Sequence, residues 1–312
     1  MSDVTDVLGD LVESTTPEPS SLISDALKQV LRTLNWVPTN RAPGLHCSEL
    51  YGFCPRKKLF SLLDPIDGVK DVDALTMARF NFGSALHDLF QNQYLGPAGL
   101  LLGVWECKRC GHRVGGFDRD LWVKMPSGPC EKCADVKTCK CIWPDDSVVE
   151  RHCQLCPRGG YWHYVEMGVK DEDTGYIGHT DGVLATSPFS ILELKSAGPK
   201  SYQFLKKPYD AHVLQANLYM RPLKLTQARI VYIDKGNEDP ALVKEFVIDY
   251  DEALVERTLA LLRQYRAAEK NRNFPPRLLG CDTRSCPWAS RCFDDDYVDE
   301  LVEEWQKDVA QG

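Results

Sequence analysis

Apolar residues recur every three or four positions across residues 21–34, at Leu22, Ala26, Leu27, Val30, Leu31 and Leu34, which is the stripe of an amphipathic helix. The same rhythm predicts a second helix over residues 48–63, with Ser48 as its N-cap, and a third over residues 76–94, carrying His87 inside it. Across residues 105–157 the periodicity stops, and scattered Gly, Pro, Lys and Asp surround eight of the thirteen cysteines. Strand-like runs then follow at 161–169, 176–184 and 190–195, bounded by Asp-Thr-Gly and Thr-Ser-Pro turn signals. A helix over 209–219, strands near 229–233 and 242–248, and a long helix over 251–271 complete the alternation of an α/β fold. Residues 1–20 hold Ser, Thr, Pro and acid with little to bury, so they are expected to form a disordered tail. The expected division is therefore that tail, a core of residues 21–104 plus 157–292, an inserted cysteine-rich module at 105–156, and an acidic C-terminal helix or tail at 293–312.

Composition narrows the class. With 312 residues and 43% apolar content the chain can bury a large core. A formal charge of -8 argues against a protein that coats phosphate backbones non-specifically, so any nucleic-acid contact must be local. Candidate basic patches are Arg56-Lys57-Lys58 and the series Lys195, Lys200, Lys206 and Lys207. No basic-then-apolar leader opens the chain and no stretch approaches the ~18 apolar residues that span a bilayer, so a cytoplasmic protein without membrane contact is expected. In a reducing compartment thirteen cysteines point to metal ligands or reactive thiols rather than disulfides.

The chemistry concentrates in Ile191-Leu192-Glu193-Leu194-Lys195. A strand sends Glu193 and Lys195 to one face, roughly 7 Å apart, and the leucines to the other. Asp181 lies on the preceding strand, in Gly178-His179-Thr180-Asp181-Gly182, and antiparallel pairing would set it beside Glu193. Two adjacent carboxylates repel more strongly as water is excluded, so a site that tolerates them suits a hard cation such as magnesium or manganese. Taken alone, Glu193 and Lys195 also fit a surface pair on an edge strand. Gln215 and Tyr219, four apart on one face of the next helix, add further elements to the same site.

With a helical His87, Gly178 to Asp181, Glu193 to Lys195 and Gln215 to Tyr219, the chain resembles the RecB family of PD-(D/E)xK nucleases in order and spacing. The resemblance implies a restriction-endonuclease-like core: a mixed central sheet flanked by helices. It implies that His87, Asp181, Glu193 and the Leu194 carbonyl ligate Mg or Mn, that Lys195 positions or activates water, and that Gln215 and Tyr219 support the site. His179, on Asp181's face, is the competing histidine.

Cys281, Cys286 and Cys292 form a trio one ligand short of a tetrahedral site. With Cys54-Pro55-Arg56 as the other part, the pattern resembles the iron-sulfur branch containing AddB and the CRISPR-associated RecB-like exonucleases. That resemblance implies a [4Fe-4S] cluster held by Cys54, Cys281, Cys286 and Cys292; the wider gap between Cys281 and Cys286 departs from the usual pattern and leaves zinc open. The insertion offers Cys107 with Cys110, Cys130 with Cys133, Cys139 with Cys141, and Cys153 with Cys156, enough thiolates for two zinc ions. The pairs could join sequentially, or the outer pairs could enclose the inner four. Cys47 is left over and expected to be buried.

The leading expectation is a phage or prokaryotic metal-dependent DNA exonuclease or end-processing nuclease, in recombination, repair or DNA processing. Its partners would be single-stranded DNA or duplex ends, and a recombination or replication protein at the acidic C-terminus. A non-catalytic, zinc-containing nucleic-acid-binding protein on the same fold is the alternative, and an assembly protein that uses the metals only to fold is a third class.

Overall fold

A computed structural model of the chain describes residues 44–66, 74–108, 110–128, 130–133, 162–236, 239, 242–281 and 283–310. The tail expected at 1–20, the helix expected at 21–34, and Cys139, Cys141, Cys153 and Cys156 lie outside them. Two compact units divide the chain, Met1–Arg41 with Lys70–Asn81 and Ala42–Val69 with Phe82–Gly312. Described residues 74–81 of the first unit are helical. The second unit holds the sheets and the candidate site.

The described strands are β1 (Leu45–His46), β2 (Leu101–Cys107), β3 (Arg113–Val114), β4 (Val123–Lys124), β5 (Trp162–Val165), β6 (Met167–Lys170), β7 (Tyr176–Thr180), β8 (Gly182–Leu184), β9 (Ser190–Ala197), β10 (Gln227–Asp234) and β11 (Val243–Asp249). The described helices are α1 (Pro55–Leu63), α2 (Ala74–Leu89), α3 (Pro199–Phe204), α4 (Asp210–Leu223), α5 (Glu252–Asn271), α6 (Ala289–Cys292) and α7 (Asp295–Ala310). The larger sheet runs β11-β10-β9-β8-β2-β3, with β4 and β5 also paired to β2; the smaller runs β1-β7-β6. β9 and β10 are parallel, while β8 and β9 are antiparallel. The fold is thus mixed α/β, a central sheet flanked by helices, the class the sequence pattern predicts.

Residues 190–194 are all buried, because β9 lies inside the sheet and is covered on both faces. Glu193 therefore sits within the protein rather than on a half-open face. α4 packs against β9 and β10 of the larger sheet and against β6 and β7 of the smaller one, and α1 packs on α5.

Several elements break where the periodicity suggested continuity. The helix expected over 48–63 is a short 3-10 turn, Cys47–Glu49, followed by α1. Gly52 interrupts them at φ +66°, a left-handed conformation that suits glycine, and Cys54 rather than Ser48 is the N-cap of α1. The strand expected over 161–169 divides at Glu166 into β5 and β6, and that over 176–184 divides at Asp181 into β7 and β8; each break sends the chain from one sheet to the other. β2 was not expected, and it crosses the boundary drawn between residues 104 and 105: its run Leu101–Cys107 is buried almost throughout and paired with β8, β3, β4 and β5 inside the larger sheet. The acidic C-terminal segment is a helix, α7, whose Tyr297, Val298, Leu301, Val302 and Trp305 pack on the main core.

Candidate active site and cysteine centres

Asp181 occupies the break between β7 and β8, where the Thr180 hydroxyl accepts the Gly182 N–H at 3.1 Å and donates to the Gly182 carbonyl at 2.9 Å. The β8–β9 ladder pairs Gly182 with Leu192, so one further step sets Asp181 opposite Glu193. Both flanking glycines are needed for close approach. A Cβ on Gly178 would lie 2.6 Å from Tyr219 Cε1, and one on Gly182 would lie 2.7 Å from Leu101 Cδ2.

His87 lies in the last turn of α2, and its Nδ1 is 3.1 Å from Asp181 Oδ1. The helix then widens into a π-helical turn, Phe90–Leu95, a device that recurs at functional sites. That turn buries Gln91 and Asn92. Gln91 Nε2 donates to the Asp181 carbonyl at 2.8 Å and to Glu166 Oε1 at 3.3 Å, and Asn92 Oδ1 accepts the Tyr164 N–H at 2.7 Å. Asp181 is held from a third side by the Leu194 N–H, which donates to its Oδ2 at 2.6 Å. Leu194 thus enters the site through its N–H.

Lys195 Nζ lies 2.5 Å from Glu193 Oε1 and donates to Gln215 Oε1 at 3.2 Å, while Gln215 Nε2 donates to the Tyr219 hydroxyl at 2.7 Å. Glu193, Lys195, Gln215 and Tyr219 therefore form one connected series, and Asp181 joins it through the backbone N–H of Leu194. Glu193 is 1% exposed and Asp181 7%. Glu193 Oε2 is buried and has no hydrogen-bond partner among the described residues.

The electrostatics follow from that burial. Loss of water pushes the Glu193 carboxyl well above the usual carboxylate range; Lys195 opposes the rise and Asp181 adds to it. Burial alone would lower Lys195, but the charges of Glu193 and Asp181 outweigh it and raise its pKa, so the ammonium persists. Burial likewise works against His87⁺, and the hydrogen bond and charge of Asp181 win, raising its pKa. Burial holds the Tyr219 hydroxyl neutral.

Ligand atoms of His87, Asp181 and Glu166 all lie within 4.8 Å of one another. A cleft of about 520 Å³, lined by His87, Gln91, Glu166, His163, His179 and Arg113, adjoins this triad. Glu166 and Gln91 escaped the sequence reading. Gln91 carried a signal, since it lies one turn after His87; Glu166 carried none, because only the strand break aims it. His212 was also missed, although it falls three residues before Gln215 on the same face of α4; its Nδ1 lies 2.7 Å from the Tyr232 hydroxyl.

The cysteines gather in two places. Cys54, Cys281, Cys286 and Cys292 line one small cavity of about 20 Å³, with Phe60 and Trp288 beside them. Arg56 is buried, not part of a surface patch: its Nε donates to Cys292 Sγ at 3.1 Å, and its Nη atoms donate to the carbonyls of Pro275 and Cys292. At the end of β2 the sulfurs of Cys107, Cys110 and Cys130 lie within 4.8 Å of one another, with Cys110 and Cys130 3.8 Å apart. Cys107 ends β2, and the hairpin to β3 folds it back towards Cys110 through a turn at Gly111, φ +71°. Cys133 follows in the turn Glu131–Cys133, its side chain outside the described set. Cys47 is buried against Gly178.

No protein-family model matches the chain, and no curated protein matches it by sequence. Among solved structures it is similar to an alkaline exonuclease, LHK-Exo, from Laribacter hongkongensis. The identity is 17% over 34% of this chain and 58% of that one, with a TM-score of 0.28. Against LHK-Exo in complex with dAMP it is 12% over 73% and 88% of the two chains, with a TM-score of 0.42. A third structure, SSO0001, is 13% identical over 88% and 97%, with a TM-score of 0.38.

Proposed function

We propose that the chain is a Mg- or Mn-dependent deoxyribonuclease of the PD-(D/E)xK type, an exonuclease or end-processing enzyme that hydrolyses phosphodiester bonds. The observation that carries this reading is Glu193: a buried carboxylate with one oxygen on Lys195, the other without a partner among the described residues, set opposite a second buried carboxylate. A buried unpaired oxygen beside a like charge is costly, and a divalent ion offsets both costs. His87, Asp181 and Glu193 would hold that ion, with Glu166 as a further donor that the RecB-like pattern did not name. When bound, it would lower the pKa of a ligated water and polarise the phosphodiester.

The chain's own residues set up the rest. Gln91 and the Leu194 N–H lock the Asp181 backbone and carboxylate, fixing the carboxylate beside His87 and Glu166. Lys195 stays charged and is anchored from both sides by Glu193 and Gln215, poised to orient water and to stabilise charge that develops on phosphate oxygens. Tyr219 holds Gln215 in turn, so Gln215 and Tyr219 position Lys195 rather than react.

For the cysteine centres the reading is zinc at Cys107, Cys110, Cys130 and Cys133, and a [4Fe-4S] cluster at Cys54, Cys281, Cys286 and Cys292. Tetrahedral zinc with ~2.3 Å bonds keeps its sulfurs about 3.8 Å apart, matching Cys110 and Cys130. That favours sequential pairing of the knuckles, leaving Cys139, Cys141, Cys153 and Cys156 for a second zinc. The N–H···S bond from Arg56 is of the kind that stabilises a thiolate ligand.

Digestion of end-labelled linear and circular DNA with Mg, with Mn and with chelator tests the function. Metal-dependent shortening of linear DNA with circles spared is expected. DNA binding without cleavage under every metal would replace this reading with the non-catalytic one.

A further inference from the structure

Two residues after Lys195 the chain leaves the sheet, forms α3 and returns through Leu205-Lys206-Lys207-Pro208-Tyr209 into α4. This excursion encloses an open groove of about 510 Å³ whose lining includes Lys200, Phe204, Lys206, Lys207, Tyr209 and Asp210. Its charge runs against the rest of the protein: three lysines face one acid in a chain whose formal charge is -8. Two aromatic rings are left open in it, with Phe204 67% and Tyr209 49% exposed. The floor is rigid. Lys244 Nζ reaches across from β11 and donates to the Tyr202, Gln203 and Leu205 carbonyls at 2.6, 3.3 and 3.0 Å, fixing the end of α3.

The groove is tied to the candidate catalytic lysine. Tyr209, on its wall, donates its backbone N–H to the Tyr232 hydroxyl at 3.0 Å and stacks edge-on to that ring. Tyr232 is the β10 partner of Lys195 in the parallel ladder. His212, beside both tyrosines, has its pKa lowered to about 4 by burial and then by the Lys195 charge. One buried tyrosine thus separates the groove wall from Lys195.

We propose that this groove binds single-stranded DNA as it runs to or from Lys195. The proposal rests on the nuclease reading for the strand's fate but not for its binding. Local positive charge attracts a phosphate backbone, and exposed rings offer stacking faces that only unpaired bases can use. A duplex would leave Phe204 and Tyr209 uncovered.

The test is fluorescence anisotropy of a labelled oligothymidylate in Glu193→Gln protein with chelator, so that binding is read without cleavage. Adding Phe204→Ala or Tyr209→Ala should each weaken binding by about tenfold or more. The Lys200→Ala, Lys206→Ala, Lys207→Ala triple variant should weaken it too, and should reduce the slope of log affinity against log salt by about 2. The corresponding triple Arg variant keeps the charge and should bind like the parent, which separates loss of charge from loss of fold. Unchanged affinity and salt slope in the Ala triple, or oligouridylate bound more tightly than oligothymidylate, would overturn the proposal. A groove that binds in a wild-type chain that never cleaves would sink the nuclease reading and leave the groove standing. Cleaving protein with wild-type binding in every groove variant would do the reverse.

Discussion

Glu193 holds its carboxyl where solvent is excluded and a second carboxylate stands opposite, so its negative charge is tolerated at a cost that a bound cation would relieve. Glu193→Gln and Lys195→Ala are each expected to lower turnover by roughly a hundredfold or more, the scale on which removal of one preorganised charged group acts. The metal-free Glu193→Gln protein should still fold, because the change opens no cavity and the amide oxygen can accept from Lys195, with any fall in melting temperature reporting the lost ion pair. Near-normal turnover in either variant would end the catalytic assignment. His212 makes a separate prediction. Its folded pKa of about 4 lies below its ordinary value of 6.5, so it binds a proton in the unfolded chain first. Its contribution to stability is complete above about pH 6.5 and is lost as pH falls towards 4. Melting temperature recorded across that window should fall less steeply in His212→Gln than in the parent, and parallel curves would show that His212 does not drive the acid limb.

At the scale of elements, the site depends on where two strands are interrupted. Asp181 and Glu166 both mark points at which the chain passes between sheets, and the π-helical turn after His87 brings Gln91 to both of them. The close packing of α4 on β7 requires glycine at position 178, since any Cβ there meets the Tyr219 ring. Gly178→Ala should therefore destabilise by about 1–3 kcal/mol, as overpacking does, and displace the Tyr219–Gln215–Lys195 chain. Urea denaturation gives the first and turnover the second; a variant as stable and as active as the parent would show that α4 can yield without consequence. The elements also explain the basic residues. Lys200, Lys206 and Lys207 belong to one groove, whereas Arg56 is drawn inward to Cys292.

At the scale of the molecule, Cys54 at the start of α1 meets Cys281, Cys286 and Cys292 from the other end of the core, closing a loop that begins at position 54 and ends at 281. Cross-links across long loops remove the most unfolded-state entropy. Asp64 reinforces the closure, since its carboxylate accepts from Arg291 and Tyr297 and its carbonyl from the Trp288 indole. Replacing any one of the four cysteines by Ala in anaerobically purified protein should lower iron content and melting temperature together, with Cys47→Ala leaving iron unchanged. Iron-free wild-type protein with a third zinc would keep the brace and discard the cluster. In the insertion, Cys110→Ala should release zinc without altering iron, read by elemental analysis. α7 turns its apolar face to the core and extends the packed region to the acidic C-terminal segment.

Local pattern alone specified the α/β class, the helix carrying His87, the strand carrying Glu193 and Lys195, and the turn-to-turn spacing of Gln215 and Tyr219, because periodicity and short-range spacing are properties of neighbours along the chain. Pairing of Asp181 with Glu193 was also legible, since an antiparallel register follows from which residues flank the turn. Tertiary structure alone decided that β9 is covered on both faces and that Glu193 is buried with an unpaired oxygen. It alone brought Glu166 to Asp181 and turned β2 into an interior strand of the larger sheet. Each of these depends on contacts between residues far apart in sequence, whose desolvation and convergence no local period encodes.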